Sequence, residues 1–440
     1  MPKLKQPLAL NTDADEARPH AIRTVIFSIL GFALCWLIVS HTVVAYLATA
    51  SPKIALLLRG SEPTSLLALA EIEINSKPSE KGKPSGQTQP TPKQLKLLRD
   101  QVETALVADP LSSRAYRLLG QISDEEGAAR KAEAFMRAAA RHSLHEGFAI
   151  NWIMSKSFER KQFSTAAYYA DALWRTGDAY AQNVMPILAR MAEDKRGAQE
   201  IKKLLAANPR WRPQFFGNLG MYITNARTPL DLLLSLQDTH APATTSEINA
   251  YQSFLFEHKL YGLAYYVWLQ FLPPEKLEAS GFLYNGDFEA KPSGSPFDWQ
   301  APAGENVIVD FVSKPGTAVD HALVVEFGSG SVEFPGVSQS IVLPPGAYAF
   351  RGSLNGEVIG PRGVQWSISC VGGAKIGESE MILGSFQDWR AFEFSVVVPE
   401  NGCSVQLLQL KLAARSPSEL LVSGAIWFDA LSITREGKKP

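Results

Sequence analysis

The side chains best equipped for chemistry are thinly spread along this sequence. His142 and His145 stand three residues apart beside Glu146, a spacing that puts both imidazoles on one helix face. Zinc would need a third ligand there, and the sequence places none. The other histidines are scattered. Gly328-Ser329-Gly330 lacks the strand-to-helix setting that turns a glycine loop into a phosphate cradle. Carboxylate pairs for glycoside hydrolysis cannot be picked out, because the fold sets their separation. Arg210-Trp211-Arg212-Pro213-Gln214-Phe215-Phe216 offers two guanidinium groups among aromatic rings, which suits stacking on an anionic or sugar partner. The same string also suits a helix whose rings are core and whose Arg stems lie over them, and that reading is preferred. No catalytic set is complete, so the chain reads as non-enzymatic. A formal net charge of -1 gives no bulk attraction to nucleic acid.

The elements that must position any site fall into three blocks. Thr24 to Pro52 carries no charged residue, and its centre is Ile, Leu, Phe, Val, Ala and Trp. At ~1.5 Å per residue, about 20 residues cross a ~30 Å hydrocarbon core, and this run exceeds that. Residues 24–50 are therefore predicted to be a transmembrane helix after a cytoplasmic tail, 1–23. Lys3, Lys5, Arg18 and Arg23 precede the span, against Lys53 and Arg59 just after it. This excess places the N-terminus in the cytoplasm and the bulk of the chain in a bacterial periplasm. A cleaved signal is the rival, since Ala48-Thr49-Ala50 has the form of a cleavage site, but the apolar run is long for one.

From residue 51 to 277 the periodicity is helical. Residues 76–93, rich in Pro, Gly, Ser and Lys, read as a disordered insertion. Tyr116, Leu119, Gly120, Gly127, Ala132, Met136 and Ala139 fall at tetratricopeptide spacing, and Ala105 and Pro110 continue the frame backwards. The region thus resembles a tetratricopeptide array, with one clear repeat and several degenerate ones. That resemblance implies stacked helix pairs that dock a protein partner. Pro273, Pro274 and Gly281 punctuate the junction between the helices and the third block, which is expected to fold by itself.

Residues 281–436 alternate as strands: Val307–Val312, Ala322–Phe327, Ser338–Leu343, Tyr348–Leu354, Val364–Cys370, Phe392–Val398, Val405–Leu412 and Ala425–Thr434. Eight or more strands without a helix predict an all-β sandwich. The order of NGDFE at Asn285–Glu289, Pro296-Phe297-Asp298-Trp299, the hairpin Ser338 to Tyr348, Asp388-Trp389-Arg390 and the closing strand Ile426–Ile433 resembles jelly-roll carbohydrate-binding modules of the family 4 and 9 type.

That resemblance implies a glycan platform of aromatic rings with amide support, for which Trp299, Trp366, Trp389, Tyr348 and Gln339 are the candidates. Trp299 and Trp427 suit core positions equally well. It also implies a structural calcium, with Glu289, Asp429 and Asp287 as candidate ligands and two sheet-edge carboxylates in water as the alternative. Of three cysteines, Cys35 lies in the span; Cys370 and Cys403 lie among the strands, on the oxidising side, and are the candidate disulfide. No cofactor is required. The expectation is a membrane-anchored periplasmic scaffold that handles surface or exopolysaccharide, its repeats docking protein and its sandwich touching glycan. The alternatives are a glycan-active enzyme with the sandwich as its substrate domain, and a pure protein scaffold.

Overall fold

The computed structural model describes residues 17–75, 91–278, 280–314 and 320–437. Most of the expected insertion lies outside them. Helices come first: α1 (Ala17–Ala50), α2 (Pro52–Leu58), α3 (Pro63–Asn75), α4 (Pro92–Ala108), α5 (Ser113–Glu125), α6 (Ala129–His142), α7 (Gly147–Glu159), α8 (Phe163–Thr176) and α9 (Ala181–Glu193). They continue as α10 (Lys195–Ala206), α11 (Arg212–Leu219), α12 (Thr228–Leu236), α13 (Thr245–Glu257), α14 (Tyr261–Gln270) and α15 (Pro274–Glu278). By contacts the chain divides into two compact units, Met1–Ile187 and Leu188–Pro440.

In the first unit, α1 is long and apolar enough to cross a membrane. Successive helices pack on one another, α3 on α4, α5 on α6 and α7 on α8. Gly120 lets α5 and α6 approach closely: a Cβ there would stand 2.9 Å from Sδ of Met136, whose side chain would have to shift. Ala132, Met136 and Ala139 are fully buried on the facing side of α6. Thr91 starts α4 with a reciprocal cap, its side chain accepting from the Gln94 amide while the Gln94 side chain accepts from the Thr91 amide. His142 stacks on Tyr116 at 5.1 Å, and Glu146 accepts from Arg117 at 2.9 Å. Neither stands in a zinc set.

The second unit joins the last helices to the sandwich. Arg212 is buried; it donates to both oxygens of Glu247 at 2.8 Å and to the carbonyls of Leu205, Ala241 and Pro242. Trp211, Phe215 and Phe216 are buried with it, so the rings are core as the preferred reading required; Arg210 is exposed, and Arg212 is buried to its guanidinium instead of laying only its stem over the rings. Phe297 lies against Phe256, Tyr265 and Trp268 of α13 and α14, with ring centroids 5.1–5.7 Å apart. The helices therefore bury part of the segment that leads into the sheets. The compact unit begins well ahead of Gly281.

Among the described residues the sandwich has nine strands: β1 (Val307–Ser313), β2 (His321–Phe327), β3 (Val337–Ile341), β4 (Gly346–Val358), β5 (Val364–Cys370), β6 (Lys375–Glu378), β7 (Gly384–Val398), β8 (Gln406–Leu412) and β9 (Gly424–Arg435). They form two antiparallel sheets, ordered β1-β2-β9-β4-β7 and β3-β8-β5-β6. Strand β6 was not expected, because Lys-Ile-Gly-Glu shows no apolar alternation. Strand β7 starts earlier than the apolar pattern does, so Trp389 lies inside it. Inward residues alternate along the strands, as in Phe350, Leu354, Trp366, Ile368, Ile426 and Phe428, and the two faces share one core. Cys370 and Cys403 are bonded, with Cα atoms 5.0 Å apart. The pairing of β5 with β8 sets this up, since Cys370 stands opposite Gln406.

Candidate functional site

Four of the five expected platform residues belong to the core. Trp299 and Trp366 are 1% and 0% exposed, and their rings meet at 6.0 Å. Trp366 also packs on Phe350 and Phe428 at 5.6 and 5.5 Å. Tyr348 is fully buried and donates to the Pro344 carbonyl at 2.8 Å, closing its own hairpin. Gln339 is buried and donates to the Tyr284 carbonyl at 2.9 Å. A stacked sugar needs a bare ring face, and these rings have none. The cause is simple: Trp366, Tyr348 and Gln339 point inward in the strand alternation, and Trp299, in the segment before β1, is packed against Phe288 and Trp366. The indole N–H of Trp299 donates to the Asn285 carbonyl at 2.7 Å, so this part of the motif builds the fold.

The metal candidates do not form a cation site either. Asp429 is bonded to the Lys314 ammonium, which also pairs with Asp320 at 2.6 Å. Glu289 accepts from the His321 amide at 2.8 Å and faces its Nδ1 at 3.0 Å. Asp287 is exposed. Among the described residues no group of three His, Cys, Asp or Glu could hold a metal. Calcium would have to displace an ammonium already neutralising the buried Asp429, so these residues do not fit it. Burial works against the charge on Lys314, but Asp320 and Asp429 outweigh it and raise its pKa above the usual lysine value.

The outer face of the five-stranded sheet is different. Ile426 and Phe428 point into the core, so Trp427 between them points out, and it is partly exposed. On β9, the central strand of the sheet, it stands opposite Val324 of β2 and Asn355 of β4. Asp310 of β1 continues the same row beyond Val324. Glu326 stands opposite Ala425, so Trp427 and Glu326 share this face. Trp389 of β7 is 40% exposed, with the Lys314 ammonium 5.1 Å from its ring centroid. Since Lys314 also holds Asp429, two residues after Trp427 on β9, the two indoles neighbour one polar cluster. Asn355 is oriented by its bond to the Gln387 carbonyl at 3.2 Å. Arg351 bonds Glu393 at 2.7 Å and Thr434 at 2.9 Å on the same face.

Residue type and motif position single out Trp389 but leave Trp427 equally suited to the core. The signal was present, since Trp427 interrupts Ile-x-Phe alternation. Only pairing to β2 and β4 shows that its strand is central. Beside this face, a cleft of about 850 Å³ opens along the edge strand β1, lined by Glu289, His321, Lys291, Gln300, Asp310 and Phe311 among others.

No protein-family model matches the chain, and no curated protein sequence matches it. Among solved structures, the chain is similar to a family 4 carbohydrate-binding module at 16% identity, over 35% of this chain and 99% of that one, with a TM-score of 0.26. It is also similar to a family 61 module, TmCBM61, in complex with β-1,4-galactotriose: 20% identity, 36% of this chain, 99% of that one, TM-score 0.26. A third is the CBM22-1 xylan-binding domain of Xyn10C from Paenibacillus barcinonensis, at 15% identity, 34% and 91% coverage and a TM-score of 0.24.

Proposed function

We propose that the sandwich binds glycan on the outer face of its five-stranded sheet. The observation that supports this most directly is Trp427, placed on the central strand with Val324 and Asn355 level with it on either side. A partly bare indole in a row with an amide is the combination that grips a sugar: the ring covers the apolar C–H face, and the amide bonds the hydroxyls. Trp389 and Asp310 extend the surface to either side. On this reading the chain is a non-enzymatic scaffold held in the bacterial inner membrane by α1, its N-terminus cytoplasmic and its bulk periplasmic. The helices α3 to α8 serve as tetratricopeptide-like pairs that dock a protein partner, in the handling of surface polysaccharide. The close approach at Gly120 supports that repeat assignment.

The test is a glycan array with the full chain in detergent, followed by titration of any hit. Trp427→Ala should weaken binding on the order of tenfold, ~1.4 kcal/mol, and leave the thermal unfolding temperature nearly unchanged. Unchanged affinity in both Trp427→Ala and Trp389→Ala would remove the sheet face from consideration.

A further inference from the structure

Near its C-terminal end α1 becomes buried along one side, while Ala45, Tyr46, Thr49 and Ala50 stay exposed. Side chains from Val25 to Val39, and again Thr42 and Val43, are exposed, whereas Val44 and Ala48 are buried at 9% and 1%. Val25 to Val43 rises ~28 Å, close to the ~30 Å hydrocarbon thickness. Tyr46, 71% exposed, then falls at the height where interfacial aromatics sit. The last two turns of α1 therefore belong to the folded unit, and α1 packs there on α2 and α3. From Val43 to Ala50 the helix climbs only ~10 Å. Helix α2 begins two residues later, at Pro52.

Helix α2 has two unlike sides. Ala55 is fully buried, and Leu56 packs on the core built by Leu66, Leu67 and Ala70 of α3. Ile54, Leu57 and Leu58 are 49%, 86% and 61% exposed, and their spacing puts all three on one side. Lys53 and, just past the helix end, Arg59 flank that side and are exposed; Arg59 also lies 3.7 Å from Glu62, a pair exposed on its Arg59 side that a phosphate would share. The helix is thus fixed by its buried side, with three large apolar side chains and two cations turned outward.

We propose that this side of α2 rests in the lipid interface, Ile54, Leu57 and Leu58 entering the boundary between headgroups and acyl chains and Lys53 and Arg59 reaching phosphates. Three features of the chain select lipid over a protein partner. The helix follows directly on the span, it lies within ~10 Å of the turn where one side of α1 becomes buried, and cations flank the apolar face as in interfacial helices. The contact would fix the tilt and rotation of the folded unit on the membrane, which one spanning helix by itself leaves free. The inference rests on α1 being a retained span.

The test uses the full chain with Cys35→Ala, which removes the free thiol. Single cysteines are placed by Leu57→Cys, by Ile38→Cys in the span and by Glu357→Cys on the sandwich. Each is labelled with nitrobenzoxadiazole and reconstituted in vesicles of phosphatidylcholine and phosphatidylglycerol. The label at 57 should emit to the blue of that at 357. It should be quenched more by nitroxides at shallow acyl positions than by deep ones, and the label at 38 by deep ones. A water-like spectrum at 57 with normal quenching at 38 overturns the proposal and leaves the span intact. Absence of quenching at 38 overturns both. A blue shift at 57 that lipid nitroxides do not quench, and that fades as protein is diluted in lipid, means a second copy covers the face and also overturns it. With Leu57→Asp and Leu58→Asp together, a label placed by Ile54→Cys should lose its shallow quenching. Since all three side chains are exposed, the fold should survive these changes.

Discussion

The amide of Leu431 donates to the carbonyl of Gly286 at 2.8 Å, tying the opening NGDFE motif to the closing strand. A Cβ at Gly286 would stand 2.1 Å from the Leu431 carbonyl oxygen. Gly286→Val should therefore push the first segment off β9, at a cost of ~1–3 kcal/mol. Thermal unfolding of the full chain, followed by near-ultraviolet circular dichroism, would measure it. An unchanged midpoint would mean that this close approach contributes little.

The buried and exposed tryptophans should separate cleanly. Trp366→Ala empties the centre of the core and should cost ~3–5 kcal/mol. Trp427→Ala, at a partly exposed position on the outer face, should cost well under half of that while lowering glycan affinity. Denaturant midpoints and affinities measured on the same preparations decide this. Equal destabilisation by both would place Trp427 in the structural set.

Lys314 should matter through its charge. Lys314→Met leaves Asp429, 7% exposed, without its ammonium, at an expected cost of ~1–3 kcal/mol. Calcium or a chelator should leave the unfolding midpoint of the unaltered protein where it is. A rise with calcium would restore the cation site that these residues do not form. The Lys314 pKa is raised, so its contribution is complete below the ordinary lysine value of 10.5 and is lost as pH climbs through the raised one.

Acid should weaken the first unit through Glu71. Burial raises its pKa, but hydrogen bonds and charge from Arg114 and Arg117 outweigh this and hold it below the usual 4.5. A depressed carboxylate stabilises above its unfolded value and loses that contribution as pH falls through the folded one. Glu71→Gln should flatten the fall in stability below about pH 4.5, measured by helical circular dichroism. An identical acid limb in both proteins would show that this carboxylate is not coupled to folding.

The disulfide closes a loop with a sequence separation of 33 between Cys370 and Cys403. Replacing both by Ala should lower stability by ~2–4 kcal/mol, read as a shift in denaturant midpoint. A smaller loss would mean that the pairing of β5 with β8 already restrains the unfolded loop.

By itself the sequence determined that helices precede strands, and it determined the strand alternation. The uncharged run through α1, the close helix packing at Gly120 and the inward residues of β5 and β9 follow from local pattern, because helix and strand periods repeat within a few residues. The tertiary structure alone decided what each motif does. Trp299, Trp366, Tyr348 and Gln339 look like binding residues by type. Strand pairing turns Trp366, Tyr348 and Gln339 inward, and Trp299 packs on Phe288 and Trp366 from the segment before β1; side-chain type carries no information about either. Trp427 shows the converse: its alternation was readable, but its central place depends on β2 and β4, segments remote in sequence. Lys314 beside Asp429 is likewise a meeting of remote segments, and it replaces an expected metal set with an ion pair. The unit boundary moved for the same reason, since Phe297 packs on helices that end before the sandwich begins.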